Sequence, residues 1–122
     1  MDDSRKQLGD AGERQAEDLL RRASYVILER NYRCLLGEVD LIALDGTTVV
    51  FVEVKTRTQS QFGSPLDAVD RRKQRQLQRV ANYYLSRHRL HDRNARFDVV
   101  AISLTNGQPH CELVKNAFEA IA

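Results

Sequence analysis

Residues 37–57, GEVDLIALDGTTVVFVEVKTR, constrain the fold more than any other stretch of the chain. Two apolar runs, residues 38–44 and 47–56, flank the dipeptide Asp45-Gly46. An Asp-Gly pair in that setting signals a two-residue hairpin, since both residues accept the positive φ of a type I′ turn. A hairpin closed there pairs Leu44 with Thr47, Asp40 with Phe51 and Glu38 with Glu53. Side chains alternate along a strand and directly paired residues share a face, so Glu38, Asp40, Glu53 and Lys55 are expected on one side. A register slipped by one residue would separate Asp40 from Glu53. Residues 49–52, VVFV, are apolar on both faces, as in a central strand covered from both sides. The charges begin where that strand ends.

The remaining elements follow from periodicity. Leu8, Gly12, Ala16, Leu19, Leu20 and Ala23 recur at helical spacing, which predicts a helix over residues 6–23. Gly9 and Gly12 lower its propensity and suggest close packing. Glu13 lies at the margin of this stripe. Residues 25–32, YVILERNY, read as a first strand. Ser64-Pro65 has the cap and first-turn pattern of a second helix. Its stripe is Leu66, Val69, Leu77, Val80, Ala81, Tyr84 and Leu85, with a break near Asp70 and Lys73 on the apolar side. Residues 97–104 form another strand, Thr105-Asn106-Gly107 a turn, and residues 110–114 a short last strand. Residues 116–122 are expected as a helical turn or a frayed end. The order α-β-β-β-α-β-β implies an α/β fold, a mixed sheet with helices on opposite faces.

At 122 residues the chain is expected to be a single domain, 1–122, long enough for a substantial core. It holds no apolar run approaching the roughly 18 residues of a membrane span, and its first residues lack a signal-peptide core. The expected location is therefore cytoplasmic. Cys34 and Cys111 fit no metal-ligand spacing and are expected as free thiols. Charge is distributed unevenly: residues 71–96 carry nine Lys or Arg against Asp92 alone, giving +8, while the rest of the chain is at −6. Such asymmetry fits a polyanion-facing side. A solvated amphipathic helix followed by a basic loop would also produce it.

The clustered carboxylates suit one chemistry. Hydrolysis of a phosphodiester needs a divalent ion to polarise phosphate and activate water, with a cation to orient that water or offset charge. Mg²⁺ or Mn²⁺ takes oxygen ligands, often one or two carboxylates. Asp40 and Glu53 on adjacent strands would supply two and the Val54 carbonyl a third, with Lys55 on the same side.

These residues carry a resemblance. Asp40 followed by Glu53-Val54-Lys55, with an acid on the preceding helix, is similar to the PD-(D/E)XK nucleases, a superfamily that includes restriction endonucleases and archaeal Holliday junction resolvases. More closely, GEVDLIA, FVEVKTR, FGSPLDAVDRRK and RFDVVAI, in that order, resemble the YraN family of bacterial endonuclease-like proteins, from Gly9 to about Leu104. The resemblance implies a restriction-endonuclease-like core and a metal-dependent endonuclease acting on DNA, with branched or structured DNA in repair or recombination among the expected substrates. By position, Asp40 and Glu53 match metal ligands, Lys55 the catalytic lysine and Glu13 the acid of the first helix. Gly37-Glu38-Val39 stands where the superfamily pattern has its proline. Relatives often dimerise to cut two strands, so a homodimer is a further expectation.

Plainer readings stand beside these. Glu53 and Lys55 would make an ordinary strand-end ion pair, worth little on a solvated face. Glu38, Arg57 and Lys73 are secondary site candidates; Lys73 would serve phosphate or a site carboxylate, or snorkel from its stripe. Arg71, Arg72, Arg75 and Arg79 are candidate nucleic-acid contacts. Asp98 is expected to pair with Arg96 or Arg93, and His88, His91 and His110 to be surface residues. A non-catalytic nucleic-acid-binding or scaffold module, or an RNA-processing nuclease, are the rival functions.

Overall fold

The computed structural model describes residues 3–57 and 69–119, the side chains of 3–10, 57, 104 and 105 excepted. Helix α1 (Asp3–Arg22) leads into β1 (Val26–Cys34), β2 (Gly37–Asp45) and β3 (Thr48–Arg57); helix α2 (Arg71–Arg87) leads into β4 (Ala95–Thr105) and β5 (Gln108–Phe118). The strands form one sheet in sequence order, β1-β2-β3-β4-β5. All neighbours are antiparallel except β3 and β4, which run parallel. A parallel pair requires a crossover connection, and α2 lies within it.

Strand alternation explains the layers. Val49 and Phe51 of β3 belong to a core with Leu77, Val80, Ala81, Tyr84 and Leu85 of α2. Val50 and Val52 belong to a second core with Ala16 and Leu20 of α1. The helices therefore cover opposite faces, and all four β3 residues are at most 1% exposed. Burial of each such side chain contributes about 1.5–3 kcal/mol, which makes β3 the anchor of the sheet. Gly12 sets the fit of α1: a Cβ there would stand 2.8 Å from Thr56 Oγ1 and 3.3 Å from Ile102 Cδ1.

The β2–β3 turn departs from expectation by two residues. Asp45 pairs with Thr48 and Leu44 with Val49, so Gly46 and Thr47 form the turn. Only Gly46 has positive φ, +63°, the pattern of a type II′ turn with glycine first. The Asp45 carboxylate is instead held by Arg96 at 2.8 Å and Lys115 at 3.7 Å. A slip of two preserves face parity. Phe51 thus lies opposite Ile42 rather than Asp40, and the ladder ends at the Leu41–Val52 pair, next to Asp40 and Glu53.

Two other boundaries differ. Over the described residues α2 begins at Arg71, where the Asp70 carboxylate accepts the Lys73 backbone N–H at 2.8 Å; the Ser64-Pro65 start lies outside the described residues. Residues 116–118 continue β5 instead of forming a helical turn or frayed end. An irregularity between Phe97 and Val99 allows this, with Phe118 stacked on Phe97 at 4.7 Å and the Asn116 N–H donating to Asp98.

Among the described residues Asp98, 1% exposed, is the buried charge of the core. Its carboxylate accepts from the Tyr25 hydroxyl at 2.7 Å and from Arg96 at 2.8 and 3.0 Å. Arg96 also donates to Tyr25 and Asp45. A buried carboxylate is tolerable when paired and fully hydrogen-bonded, and this network ties the start of β1 and the end of β2 to β4 and β5.

Candidate active site

The site forms where β2 leaves β3. Val39 and Ile42 contribute to the α2-side core while Leu41 contributes to the α1-side core. Strict alternation is therefore interrupted around Asp40, and the expected even spacing of Glu38 and Asp40 on one face does not run through it. The Asp40 carboxylate accepts the Val54 backbone N–H at 2.7 Å through Oδ2, taking the place of a ladder partner on β2. In an extended strand the N–H and C=O of one residue point to the same edge, so the Val54 carbonyl shares that edge with Asp40.

Glu53 precedes Val54 and faces α2. Its Oε2 lies 3.6 Å from Lys73 Nζ, with the glutamate side chain 14% exposed. Lys73 also donates to Gln76 Oε1 at 3.3 Å. Burial, then the neighbouring Asp40 charge, pushes the Glu53 carboxyl up to about 7, against the opposing pull of Lys73. Burial raises Asp40 as well, partly offset by its bond from Val54 and its contact with Glu53. Two carboxylates thus share a confined edge with one ammonium, and ionising both leaves an excess of negative charge. A divalent ion would relieve that strain, and the oxygens facing one another are the hard donors that Mg²⁺ or Mn²⁺ takes.

The other expected residues take varied positions. Lys55 has the strand parity of Glu53 and is exposed. Glu13 is half-buried on α1 and lines a hollow of about 220 Å³ with Arg14, Glu17, Arg30, Asn31 and Leu41, on the side of the chain neighbour of Asp40. Among the described residues, no group of three or more His, Cys, Asp or Glu is assembled within metal-ligating reach, so Asp40 and Glu53 stand together without Glu13. Glu38 is exposed and paired with Arg33 across the β1–β2 hairpin at 3.0 Å, not opposite Glu53. Arg57 ends β3, and its expected phosphate contact lies outside the described residues. Arg71, Arg72, Arg75 and Arg79 are exposed on α2; Arg72 and Arg79 line a hollow of about 380 Å³ with Asp70, Lys73 and Gln76. Sequence reasoning passed over Gln76, whose signal was its place three residues after Lys73 on one helical face. His88, His91 and His110 are exposed.

Fold and site together define a mixed α/β protein with a paired carboxylate at a diverging strand edge and a lysine brought to it by a basic crossover helix. The chain belongs to the family described as uncharacterised protein family UPF0102, whose model matches residues 12–102. Members from three bacteria illustrate the relationship. The protein from Caldicellulosiruptor saccharolyticus is 46% identical over 94% of this chain and 99% of its own length. That from Geobacter metallireducens is 49% identical over 93% of each. That from Syntrophus aciditrophicus is 50% identical over 91% of this chain and 87% of its own. No described helix is long and apolar enough to cross a membrane.

Proposed function

We propose that this protein is a divalent-metal-dependent endonuclease with a restriction-endonuclease-like core, hydrolysing phosphodiester bonds in DNA. The observation that carries the reading is the Asp40–Glu53 pair, held face to face with raised pKa values at the edge where β2 diverges. Asp40, Glu53 and the Val54 carbonyl would hold Mg²⁺ or Mn²⁺, and Glu13, which stands apart from the pair, would act only through intervening water. The ion, when bound, supplies Lewis-acid polarisation of phosphate and a more acidic water.

The chain's own residues account for the rest. The Val54 N–H fixes the rotamer of Asp40, so its second oxygen is presented without further ordering cost. Lys55, two residues past Glu53, would orient the attacking water and offset charge gathering on the phosphate oxygens. Water adds to phosphorus as the bond to the leaving sugar oxygen breaks; the water gives up a proton to solvent, and solvent supplies one to the departing oxygen, which leaves as a hydroxyl. Lys73, which neutralises Glu53 in this structure, would turn to a substrate phosphate once the carboxylate is otherwise engaged. Arg71, Arg72, Arg75 and Arg79 would contact the backbone, giving affinity that falls with salt.

The test is cleavage of flap, junction and single-stranded DNA with Mn²⁺ by wild type and by Asp40→Ala, Glu53→Ala and Lys55→Ala. Wild type is expected to cut and each variant to fall by at least about a hundredfold. Inactive wild type, or variants that cut as well as wild type, would end the nuclease reading. One observation favours a second reading, a non-catalytic nucleic-acid-binding module: Lys73 already satisfies Glu53. That reading expects metal-independent binding unchanged by Glu53→Ala. Competition between RNA and DNA of one sequence distinguishes an RNA-processing enzyme.

A further inference from the structure

The β1–β2 hairpin turns through Leu35 and Leu36, between the paired residues Cys34 and Gly37. Turn positions ordinarily take Gly, Asn, Asp or Ser, each for a backbone reason. Here Leu35 is fully exposed at 105% and Leu36 partly so at 43%, so one large apolar side chain projects into water with a second, partly covered one beside it. Isolated exposed leucines are commonplace, but this pair sits in a particular place.

Gly37 holds the hairpin down on α2. Its φ is +142°, and a Cβ there would fall 2.8 Å from three side-chain atoms of Gln76. Gln76 accepts from Lys73, and Lys73 pairs with Glu53. The tip is therefore connected to the carboxylate pair through three side chains. Beside it, a hollow of about 500 Å³ is lined by Arg33, Cys34, Gly37, Glu38, Lys73 and Gln76. That hollow shares Lys73 and Gln76 with the one lined by Arg72 and Arg79. The two hollows together make a trough in which Arg33, Arg72, Lys73 and Arg79 outnumber Glu38 and Asp70, running from α2 past Lys73, the partner of Glu53, to the foot of the apolar tip.

We propose that Leu35 and Leu36 form a wedge that meets the face of an unstacked base, so that the protein selects nucleic acid at a boundary between duplex and single strand. The trough fits the phosphate backbone by charge, and an apolar tip beside it fits the nonpolar component that a phosphate backbone lacks. Leucine side chains intercalate at base steps where stacking is opened, and they gain most where it is already interrupted. Seating of Gly37 against Gln76 sets the distance from such a base to the site. This selection rests on the nuclease reading for its consequence, because the wedge would choose which phosphate reaches Asp40 and Glu53.

The test uses binding, so that it is separable from cleavage. Fluorescence anisotropy in a metal chelator compares a forked duplex, a blunt duplex and a single strand for wild type, Leu35→Ser/Leu36→Ser, and Leu35→Phe. A fluorescent base analogue at the fork reports unstacking. Wild type is expected to prefer the fork over the blunt duplex by about tenfold and to brighten the analogue, as interruption of one base step implies. The double serine variant should lose both effects yet bind single strand as before, and Leu35→Phe should retain them. Circular dichroism and cooperative unfolding of the double variant establish that it folds. An unchanged fork preference and unchanged brightening in the double variant overturn the wedge while leaving the nuclease reading standing. If the double variant keeps its fork preference but abolishes self-association of the wild type in sedimentation, the tip is an interface between copies and the wedge is wrong. Wild type that binds none of the three DNAs defeats the wedge, whereas fork selection without Mn²⁺-dependent cutting defeats only the catalytic reading.

Discussion

Replacing Glu53 by glutamine should make the protein more stable at alkaline pH and flatten its pH dependence. Folded Glu53 keeps its proton until about pH 7, whereas the unfolded chain loses it near 4.5. Between those values the folded state binds more protons, so stability falls as pH rises, with the cost complete above pH 7. A displacement of that size corresponds to roughly 3 kcal/mol. Glutamine keeps the shape and removes the charge, and the attraction of Lys73 is already contained in that displacement. The net expectation is a gain of roughly 3 kcal/mol at pH 8 and little change at pH 4.5. Urea unfolding in a chelating buffer at half-unit steps from pH 4.5 to 8 measures it. A variant whose stability tracks that of wild type to within about 0.5 kcal/mol across this window would refute the reasoning, because confinement beside Asp40 would then carry no cost.

Three further outcomes follow from the same structure. Asp98→Ala leaves Arg96 and the Tyr25 hydroxyl without their buried acceptor and should lose about 3–5 kcal/mol in denaturant unfolding, while Tyr25→Phe should lose about 1 kcal/mol. Gly12→Leu would force side-chain atoms into Thr56 and Ile102 and should lose about 1–3 kcal/mol, read as a lower melting temperature. Arg72→Ala and Arg79→Ala should each reduce the slope of log affinity for duplex DNA against log salt by about 0.9, and unchanged slopes would remove these residues from the phosphate path.

The closeness of Asp40 and Glu53 was legible as a shared face, although the sequence pairs Asp40 with Phe51, because a shared face depends only on parity. The turn chemistry was misassigned, with Gly46-Thr47 rather than Asp45-Gly46 at its centre, yet a shift of two residues returns the paired side chains from Leu41 to Asp45 to their own faces. The apolar stripe of α2 was legible for the same reason: Leu77, Val80, Ala81, Tyr84 and Leu85 are all buried. Contacts between elements distant in sequence were less accessible. The pairing of Lys73 with Glu53 depends on where α2 starts, which Asp70 sets by capping, and on how the crossover lies over β3. The pair formed by Asp98 and Arg96 could be read from their spacing, but Tyr25 and Asp45 join them only after four strands have assembled. Period two also could not foresee the interruption at Asp40, since the Val54 N–H replaces a strand partner with a side chain.

The central claim is that Asp40 and Glu53 make a divalent-cation site, and calorimetric titration of Mn²⁺ into the protein at pH 8 tests it most directly. The account predicts one ion bound per chain, binding that weakens at pH 6 as the proton on Glu53 competes, and loss of the heat in both Asp40→Asn and Glu53→Gln. An isotherm with no heat in wild type, or one of equal affinity in wild type and both variants, would contradict it.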